Sequence, residues 1–170
     1  MKAKRRIFVD MDGVLAVFHP EKSIEEIAEP GYFLSLEAQE NVVNAIKILI
    51  KKTSATHSIC ILSSVLNDTA REEKIYWLDK YLPEIISDNR IFVPYGMSKA
   101  DFIRDYTESI STDDILLDDF TKNLLDWHGV GIKLLNSINN TNKTWKGFVV
   151  NGLADSETIA TNLIGLALVA

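Results

Sequence analysis

The stretch Ile7-Phe8-Val9-Asp10-Met11-Asp12-Gly13-Val14 decides the fold, because it joins a short apolar run to two carboxylates and a glycine. An apolar run without period-two alternation is typical of a parallel strand that is covered on both faces. Ligands of open parallel sheets bind beyond the carboxyl ends of the strands. Asp10 and Asp12 therefore stand where chemistry is expected, and the glycine permits the sharp turn that aims both carboxylates at one point.

The apolar runs further along the chain extend this pattern. Short runs rich in branched residues lie at 59–62, 91–93, 115–117 and 132–135, and a weaker one lies at 148–150. Between them, amphipathic stretches predict helices over 36–52, 68–81, 98–105, 121–127 and 156–168. Strands that alternate with helices indicate an α/β fold, a doubly wound parallel sheet with right-handed crossovers. The 170 residues suit a single domain with one sizeable core.

Residues 18–35 interrupt the alternation between the first strand and the first long helix. They contain Pro20, Pro30 and Gly31, with a short predicted helix at 23–28. The segment is much longer than the roughly 2–6 residues of an ordinary βα loop. We expect it to form a small cap or lid over the mouth of the sheet, and a plain surface loop is the alternative.

Polar side chains follow three more of the predicted strands. Ser63 and Ser64 follow the second strand, Lys99 follows the third after a short loop, and the pair Asp118-Asp119 follows the fourth. Because the carboxyl ends of parallel strands meet at one edge of a sheet, we expect these residues to lie near Asp10. The pair Asp113-Asp114 precedes its strand, so it belongs to the opposite edge as a turn or a solvated pair.

Four carboxylates in one crevice repel one another and require a cation. Magnesium prefers oxygen ligands and is usually held by one or two carboxylates together with substrate phosphate. We expect Asp10, Asp118 and the backbone carbonyl of Asp12 to be its protein ligands. The sequence therefore predicts Mg²⁺ as the cofactor.

Such a cluster suits phosphoryl transfer. Asp10 is the predicted nucleophile, which forms an aspartyl-phosphate, and Asp12 is the predicted general acid and base. Lys99 and the Ser63 hydroxyl would hold phosphoryl oxygens, with Ser64 beside them. Asp119 has a supporting role, orienting Lys99 or a water molecule.

Asp10-x-Asp12, Ser63, Lys99 and Asp118-Asp119 occur in the order of the four motifs of the haloacid dehalogenase (HAD) superfamily of phosphatases. The chain resembles that superfamily from about residue 7 to residue 135. The resemblance implies a HAD-like sheet with a small cap inserted after the first strand.

Three stretches resemble the 5′(3′)-deoxyribonucleotidases more narrowly. They are Asp10-Met11-Asp12-Gly13-Val14-Leu15-Ala16-x-Phe18, Pro30-Gly31-Tyr32-Phe33 and Glu73-Lys74-x-x-Trp77. This resemblance implies magnesium-dependent dephosphorylation of deoxynucleoside monophosphates. It also implies that Phe18, Tyr32 and Phe33 contact the nucleoside and that Lys74 lies near the phosphate.

The chain departs from that family at several points. Val17 stands where the family usually has Asp, and Phe120 stands where the animal members have Arg. The lid is also shorter, so base and sugar preference do not carry over. The lid aromatic residues either stack on a base or pack the lid onto the core. Trp77 is expected in the core, and the asparagines at 136, 139, 140 and 142 are expected in a solvated loop.

The composition limits the partners. With 18 basic and 24 acidic side chains, the net charge of −6 argues against nucleic-acid polymers and anionic membranes but permits a small phosphomonoester substrate. The short apolar run after the basic N-terminus is broken by Asp10, so it is not a signal peptide, and we expect a cytoplasmic protein. Cys60, the only cysteine, is expected to be buried. A homodimer is left open.

Two alternatives remain to the nucleotidase interpretation. The first is a HAD phosphatase for another small metabolite, such as a sugar phosphate. The second is a receiver-like phosphoacceptor module, which also combines acidic residues and a lysine on a doubly wound sheet. Asp12 argues against the module, because a carboxylate two residues after the nucleophile supplies the acid that multiple turnovers need.

Overall fold

A computed structural model describes residues 4–107 and 110–169 of the chain. Its central sheet has six strands: β1 (Arg5–Val9), β2 (His57–Val65), β3 (Arg90–Pro94), β4 (Ile115–Asp118), β5 (Val130–Leu135) and β6 (Phe148–Asn151). Their order is β3-β2-β1-β4-β5-β6, and every neighbouring pair is parallel. The predicted doubly wound sheet is confirmed, and the weak run at 148–150 is the edge strand β6.

Helices connect the strands and cover both faces of the sheet. They are α1 (Ile24–Ala28), α2 (Tyr32–Ser35), α3 (Glu40–Thr53), α4 (Asp68–Tyr81), α5 (Lys99–Thr107), α6 (Thr121–Leu125) and α7 (Ser156–Val169), with a 3₁₀ turn at Ser87–Asn89. The predicted bounds of α4 are confirmed at both ends. In the part of the chain that the structure describes, no helix is both long enough and apolar enough to span a membrane.

The first long helix begins later than the sequence pattern predicts. The Val17 amide donates to the Glu37 carbonyl at 2.8 Å, and the Gln39 amide donates to the Leu15 carbonyl at 2.7 Å. Residues 37–39 therefore run extended beside the loop after β1, and α3 starts at Glu40 rather than at residue 36. A pairing between distant segments has overridden local helix propensity here.

The second strand ends later than predicted. It runs through Val65, and Ser63 and Ser64 pair in register with Phe92 and Val93 of β3. The two serines thus lie inside the strand and not beyond its end. Because side chains alternate between the faces of a strand, the two hydroxyls point to opposite sides of the sheet.

The core lies on both faces of the sheet. One face packs β1 and β4 against α3, α4 and α7, and the expected core position of Trp77 there is confirmed. On the other face, Phe8 and Trp127 make an edge-to-face contact with centroids 5.3 Å apart. Cys60 lies on that face with 5% exposure, and burial raises the pKa of its thiol. Burial of these apolar surfaces contributes about 25 cal/mol per Å² to stability.

Asp114 is not the solvated residue that the sequence suggested. It lies at the amino end of β4, as expected, but it is buried and its carboxylate pairs with the guanidinium of Arg6. The Arg6 Nε donates to Asp114 Oδ1 at 3.0 Å, and the Ser111 amide donates to Asp114 Oδ2 at 2.8 Å. A cation on the neighbouring strand β1 compensates the burial of this carboxylate.

Candidate active site

The turn after β1 brings Asp10 to the carboxyl edge of the sheet. The Asp10 amide donates to the Leu117 carbonyl at 3.0 Å, and its side chain accepts from the Met11 amide at 2.8 Å. The turn closes on Gly13, whose φ of +80° favours glycine. A Cβ atom at position 13 would also collide with the Asp119 carboxylate. Glycine therefore permits both the turn and the close approach of the second acidic pair.

Lys99 bridges the two predicted acidic motifs. It begins α5 and is 4% exposed, and its Nζ lies 2.8 Å from Asp10 Oδ1 and 2.7 Å from Asp118 Oδ2. The Phe120 amide and the Asn123 side-chain amide also donate to Asp118, at 2.8 and 2.9 Å. The structure thus brings three of the sequence-predicted residues into direct contact.

The charges at this edge of the sheet are unbalanced. Burial alone would lower the pKa of Lys99, but the Asp10 and Asp118 carboxylates outweigh it and raise that pKa above its ordinary value. Burial raises the pKa of Asp118 to about 7, a rise that Lys99 opposes and the Asp10 and Asp119 carboxylates strengthen. One ammonium shared among these carboxylates leaves a deficit of positive charge.

A divalent cation fits this deficit. Asp10, Asp118 and Asp119 are all buried, and each offers a carboxylate oxygen within 4.8 Å of the others. A donor set made only of oxygens suits magnesium rather than a softer metal. Asp119 is a third candidate ligand, in addition to the two side chains that the sequence predicted. The part assigned to the Asp12 backbone carbonyl stays a prediction.

Two asparagines support Asp119, and the expectation of a solvated loop is wrong for them. Asn136 is 2% exposed, and its Nδ2 donates to the Gly13 carbonyl at 2.6 Å and to Asp119 Oδ2 at 2.9 Å. Asn139 Nδ2 donates to the same oxygen at 2.7 Å. The available signal was the position of Asn136, directly after the carboxyl end of β5. Asn140 and Asn142 are exposed, as expected.

Lys74 reaches the site from α4 and is fully buried. Its Nζ contacts the Asp12 carboxylate and donates to Ser63 Oγ at 3.0 Å and to the Ser64 carbonyl at 2.8 Å. Ser63 therefore presents its hydroxyl at this point, whereas Ser64 presents its backbone. Adjacent residues of β2 alternate in direction, so the Ser64 hydroxyl does not share this position, and the phosphate-binding role of Ser64 stays a prediction.

Asp12 occupies a more enclosed position than an ordinary loop carboxylate. Burial raises its pKa, the Lys74 ammonium lowers it and the Asp10 carboxylate raises it, with a net value above the ordinary one. Its Oδ1 is buried and has no hydrogen-bond partner among residues 4–107 and 110–169. A carboxyl group that binds a proton more readily than usual suits a general acid.

The lid aromatic residues differ in their exposure. Phe33 is 3% exposed, and its ring centroid lies 4.4 Å from Lys74 Nζ and 5.0 Å from the ring of Tyr32. Tyr32 and Phe18 are half-buried. Phe33 is thus buried against the Lys74 side chain. Phe18 and Tyr32, in contrast, keep surface that a substrate could contact.

Glu73 has a role that the sequence pattern did not assign. Its carboxylate is 6% exposed and accepts from the Gly31 amide at 2.6 Å and from the Phe33 amide at 3.1 Å. One turn further along α4, the Trp77 indole donates to the Leu36 carbonyl at 2.9 Å. Glu73 and Trp77 therefore tie residues 31–36 to the helix that carries Lys74.

Three solved structures with the same fold are named as phosphatases or as a HAD domain. The D,D-heptose 1,7-bisphosphate phosphatase from Burkholderia thailandensis is 11% identical with a TM-score of 0.62, over 95% of this chain and 99% of that one. A candidate HAD-like phosphatase from Mesorhizobium loti is 10% identical with a TM-score of 0.61, over 98% and 88%. The HAD domain of the Legionella pneumophila effector Lem4 is 14% identical with a TM-score of 0.52, over 97% and 99%.

Sequence comparisons add the family. A search of curated proteins finds no match. The model of the family described as 5′ nucleotidase, deoxy (pyrimidine), cytosolic type C protein matches residues 19–149, which is most of the chain. The structural likenesses agree with this match at the level of the fold. The chain therefore belongs to the 5′ nucleotidase, deoxy (pyrimidine), cytosolic type C family, and it is a phosphatase of the HAD superfamily.

Proposed function

We propose that this phosphatase is a magnesium-dependent nucleotidase that removes phosphate from nucleoside monophosphates, in ribo or deoxy form. The observation that carries the proposal is the contact of Lys99 with both Asp10 and Asp118, at 2.8 and 2.7 Å, beside the paired Lys74 and Asp12. This arrangement supplies a nucleophile, an acid and two cations around one point, as phosphoryl transfer requires.

The first chemical step breaks the phosphate ester. A carboxylate oxygen of Asp10 attacks phosphorus and forms an aspartyl-phosphate, while the bond between phosphorus and the leaving oxygen breaks. The leaving oxygen takes the proton of Asp12, and the alcohol departs. The raised pKa of Asp12 supports this assignment, because the carboxyl must carry a proton when the step begins.

The second step returns the enzyme to its starting state. Asp12, now a carboxylate, takes a proton from water as that water attacks the aspartyl-phosphate. Inorganic phosphate leaves, Asp10 regains its carboxylate, and Asp12 again carries the proton that the next turnover needs. Asp12 thus donates a proton in the first step and accepts one in the second.

Positive charge and hydroxyl groups hold the transferred phosphoryl group. Lys99, Lys74 and the Ser63 hydroxyl are the groups that we assign to its oxygens. Asp10, Asp118 and Asp119 would hold a magnesium ion, which supplies charge that favours the negatively charged transition state. The buried position of all three carboxylates strengthens these interactions.

The choice of a nucleotide rests on the family and on the lid. The family match covers residues 19–149, which include all of the lid except residue 18, and Phe18 and Tyr32 keep part of their aromatic surface accessible. We propose that residues 18–35 act as a small cap of a single domain and contact the nucleoside, with the molecule working in the cytoplasm. Sugar phosphates are the second candidate, because the shorter lid and Val17 and Phe120 depart from the deoxynucleotidase pattern.

A substrate panel tests the proposal. Wild-type enzyme with magnesium is assayed on 5′- and 3′-monophosphates, in ribo and deoxy forms, and on hexose and pentose phosphates. We expect the highest kcat/KM for a nucleoside monophosphate, and the Asp10→Asn variant serves as the control for contaminating phosphatase. A kcat/KM for any sugar phosphate that equals or exceeds the best nucleotide value would refute the nucleotidase assignment.

A further inference from the structure

Glu73 completes the start of the lid helix α2. The first amides of a helix have no partner inside it. Here the buried Glu73 carboxylate takes the amides of Gly31 and Phe33, at 2.6 and 3.1 Å, and Gly31 has no side chain to do so. A charged acceptor makes both hydrogen bonds stronger than neutral ones. The carboxylate therefore fixes the position of α2 from outside the lid.

The same stretch of α4 holds the lid at two more places. The Lys74 ammonium lies 4.4 Å from the centre of the Phe33 ring, and the Trp77 indole donates to the Leu36 carbonyl at 2.9 Å. In contrast, α1, which forms the first half of the lid, buries none of its residues. Residues 31–36 are therefore anchored to α4, whereas α1 contacts the core through the partly buried Ile27 and has no fully buried residue.

The anchored residues 31–36 lie against the phosphate-handling groups. Phe33 covers Lys74, and Lys74 in turn contacts Asp12 and Ser63. Tyr32 packs edge-to-face on Phe33, so its position depends on the same anchor. Among the described residues, 31–36 make hydrogen bonds with Glu73, with Trp77 and with one another, and none with Asp10 or Lys99, so a movement of this segment would change the surface beside Lys74 first.

We infer that Glu73 is a positioning residue for substrate specificity. By anchoring residues 31–36, it holds the buried Phe33 against Lys74 and, through Phe33, holds the accessible part of Tyr32 beside the phosphate site, and so it sets the affinity for the organic part of the substrate. The inference rests on the proposed action on nucleoside monophosphates. It assigns Glu73 no contact with the phosphate and no part in the chemical steps.

The Glu73→Gln variant tests this inference by kinetics. The Gly31 and Phe33 amides donate to different oxygens of Glu73, and glutamine replaces one of these oxygens by an NH₂ donor, so one hydrogen bond is lost without a change in size. We expect KM for the best nucleoside monophosphate to rise about tenfold, with kcat within threefold of wild type. The kcat/KM for acetyl phosphate, which has neither base nor sugar, should stay within threefold. Equal losses on both substrates, or no loss on either, would overturn the inference.

Two further variants provide a control and a second test of the same anchor. Asp79→Asn changes an exposed carboxylate of the same helix that pairs with Arg90, and it should leave both kinetic constants unchanged. Trp77→Phe keeps an aromatic ring but removes the donor to Leu36, and it should raise KM for the nucleotide in the same direction as Glu73→Gln. If both single variants, Trp77→Phe and Glu73→Gln, have the wild-type KM for the nucleotide, the proposed anchoring of residues 31–36 is wrong.

Amide hydrogen exchange separates this inference from the proposed function. The Gly31 and Phe33 amides should exchange at least tenfold faster in Glu73→Gln than in wild type, with unchanged rates in α3. Unchanged exchange at these two amides refutes the anchor, whatever the substrate. A wild type that turns over no nucleoside monophosphate refutes the proposed function instead, and the kinetic comparison then uses the best phosphomonoester found.

Discussion

The ammonium of Lys74 contacts the carboxylate of Asp12, although 62 positions separate the two residues in the chain. Both groups are largely withdrawn from water, and Lys74 also donates to Ser63 and to the Ser64 carbonyl. The lysine therefore has an effect apart from its proposed role as a source of positive charge for the phosphate. It opposes the rise in the pKa of Asp12 that burial causes, and so it sets the pH range in which this carboxyl can act as an acid.

Removal of that charge should move the pH profile. In Lys74→Gln, burial and the Asp10 carboxylate act on Asp12 without the opposing ammonium, so the pKa of Asp12 rises further. Asp12 then stays protonated to higher pH. In a plot of kcat/KM against pH, the alkaline limb therefore moves to higher pH, while the maximal rate falls. Lys80→Gln, the same change at an exposed position of α4, is the control. If the alkaline limb of Lys74→Gln lies at the same pH as that of wild type, Lys74 does not control the pKa of Asp12.

Substitutions of Asp10 and Asp12 should reduce activity in different ways. Asp10→Asn removes the nucleophile, and we expect a loss of about 10³-fold or more in kcat on every substrate. Asp12→Asn removes the acid, which matters most for a poor leaving group such as a nucleoside alkoxide, so kcat/KM should fall about 10²–10⁴-fold.

A substrate with a good leaving group distinguishes these two roles. Nitrophenolate leaves without a proton, so Asp12→Asn should lose much less kcat/KM on p-nitrophenyl phosphate than on a nucleotide. Asp10→Asn should be equally inactive on both, with a circular dichroism spectrum like that of wild type. Residual turnover of one tenth in Asp10→Asn, or equal losses in Asp12→Asn on both substrates, contradicts the assigned chemistry.

Magnesium should stabilise the protein as well as activate it. A ligand that binds only the folded state adds about 2.7 kcal/mol when its concentration is 100 times Kd. We therefore expect wild-type Tm to rise with magnesium and to fall back with a chelator, together with reversible loss of turnover. Asp118→Asn, which removes one carboxylate of the cluster, should show no such rise. A chelator-resistant activity would contradict the metal assignment.

Asn136 should matter for the metal although it is not a candidate ligand. It holds Asp119 Oδ2 and the Gly13 carbonyl at 2.9 and 2.6 Å, and residues that orient ligands commonly change metal affinity 10–100-fold. In Asn136→Ala we expect magnesium affinity, measured by calorimetry, to fall at least about tenfold. Asn142→Ala, a change at an exposed asparagine of the same loop, should leave the affinity unchanged.

The loss of folding stability at acid pH should depend partly on His57. This residue lies at the amino end of β2, at the edge of the sheet opposite the active site. Burial and the nearby Arg5 lower the pKa of this imidazole in the folded state, whereas the unfolded chain titrates near 6.5. The unfolded state thus binds more protons below that pH, and the stability that His57 contributes above pH 6.5 is lost as the pH falls.

A comparison of urea midpoints at pH 7.5 and pH 5.5 measures this contribution. Wild type should lose more stability between the two pH values than His57→Phe, which cannot titrate. His128→Gln, at an exposed position, should lose as much as wild type. Identical losses in wild type and His57→Phe would mean that the burial of this histidine has no part in acid sensitivity.

Local signals made much of this fold predictable from the sequence. The bounds of α4 follow from Asn67, whose side chain accepts from the Ala70 amide at 2.8 Å, and from the end of the amphipathic pattern at Tyr81. The meeting of Asp10, Lys99 and Asp118 follows from one rule, that the carboxyl ends of parallel strands share an edge. Neither inference needs knowledge of distant contacts.

The features that the sequence did not predict depend on long-range pairing. Glu73 bonds an amide 42 positions away, and Asn136 bonds a carbonyl 123 positions away. A glutamate on an amphipathic helix and an asparagine in a polar loop both look solvated until the fold supplies their partners. The late start of α3 at Glu40 has the same cause, because residues 37–39 pair with the loop after β1.

The burial of Cys60 in β2 has a practical consequence. This thiol is the only one in the chain, it is 5% exposed, and its raised pKa keeps the reactive thiolate scarce. A cysteine introduced at Glu25, an exposed position of α1, will therefore take a maleimide fluorophore without prior removal of the native residue. The surroundings of α1 with and without substrate can then be compared by fluorescence in an otherwise unaltered enzyme.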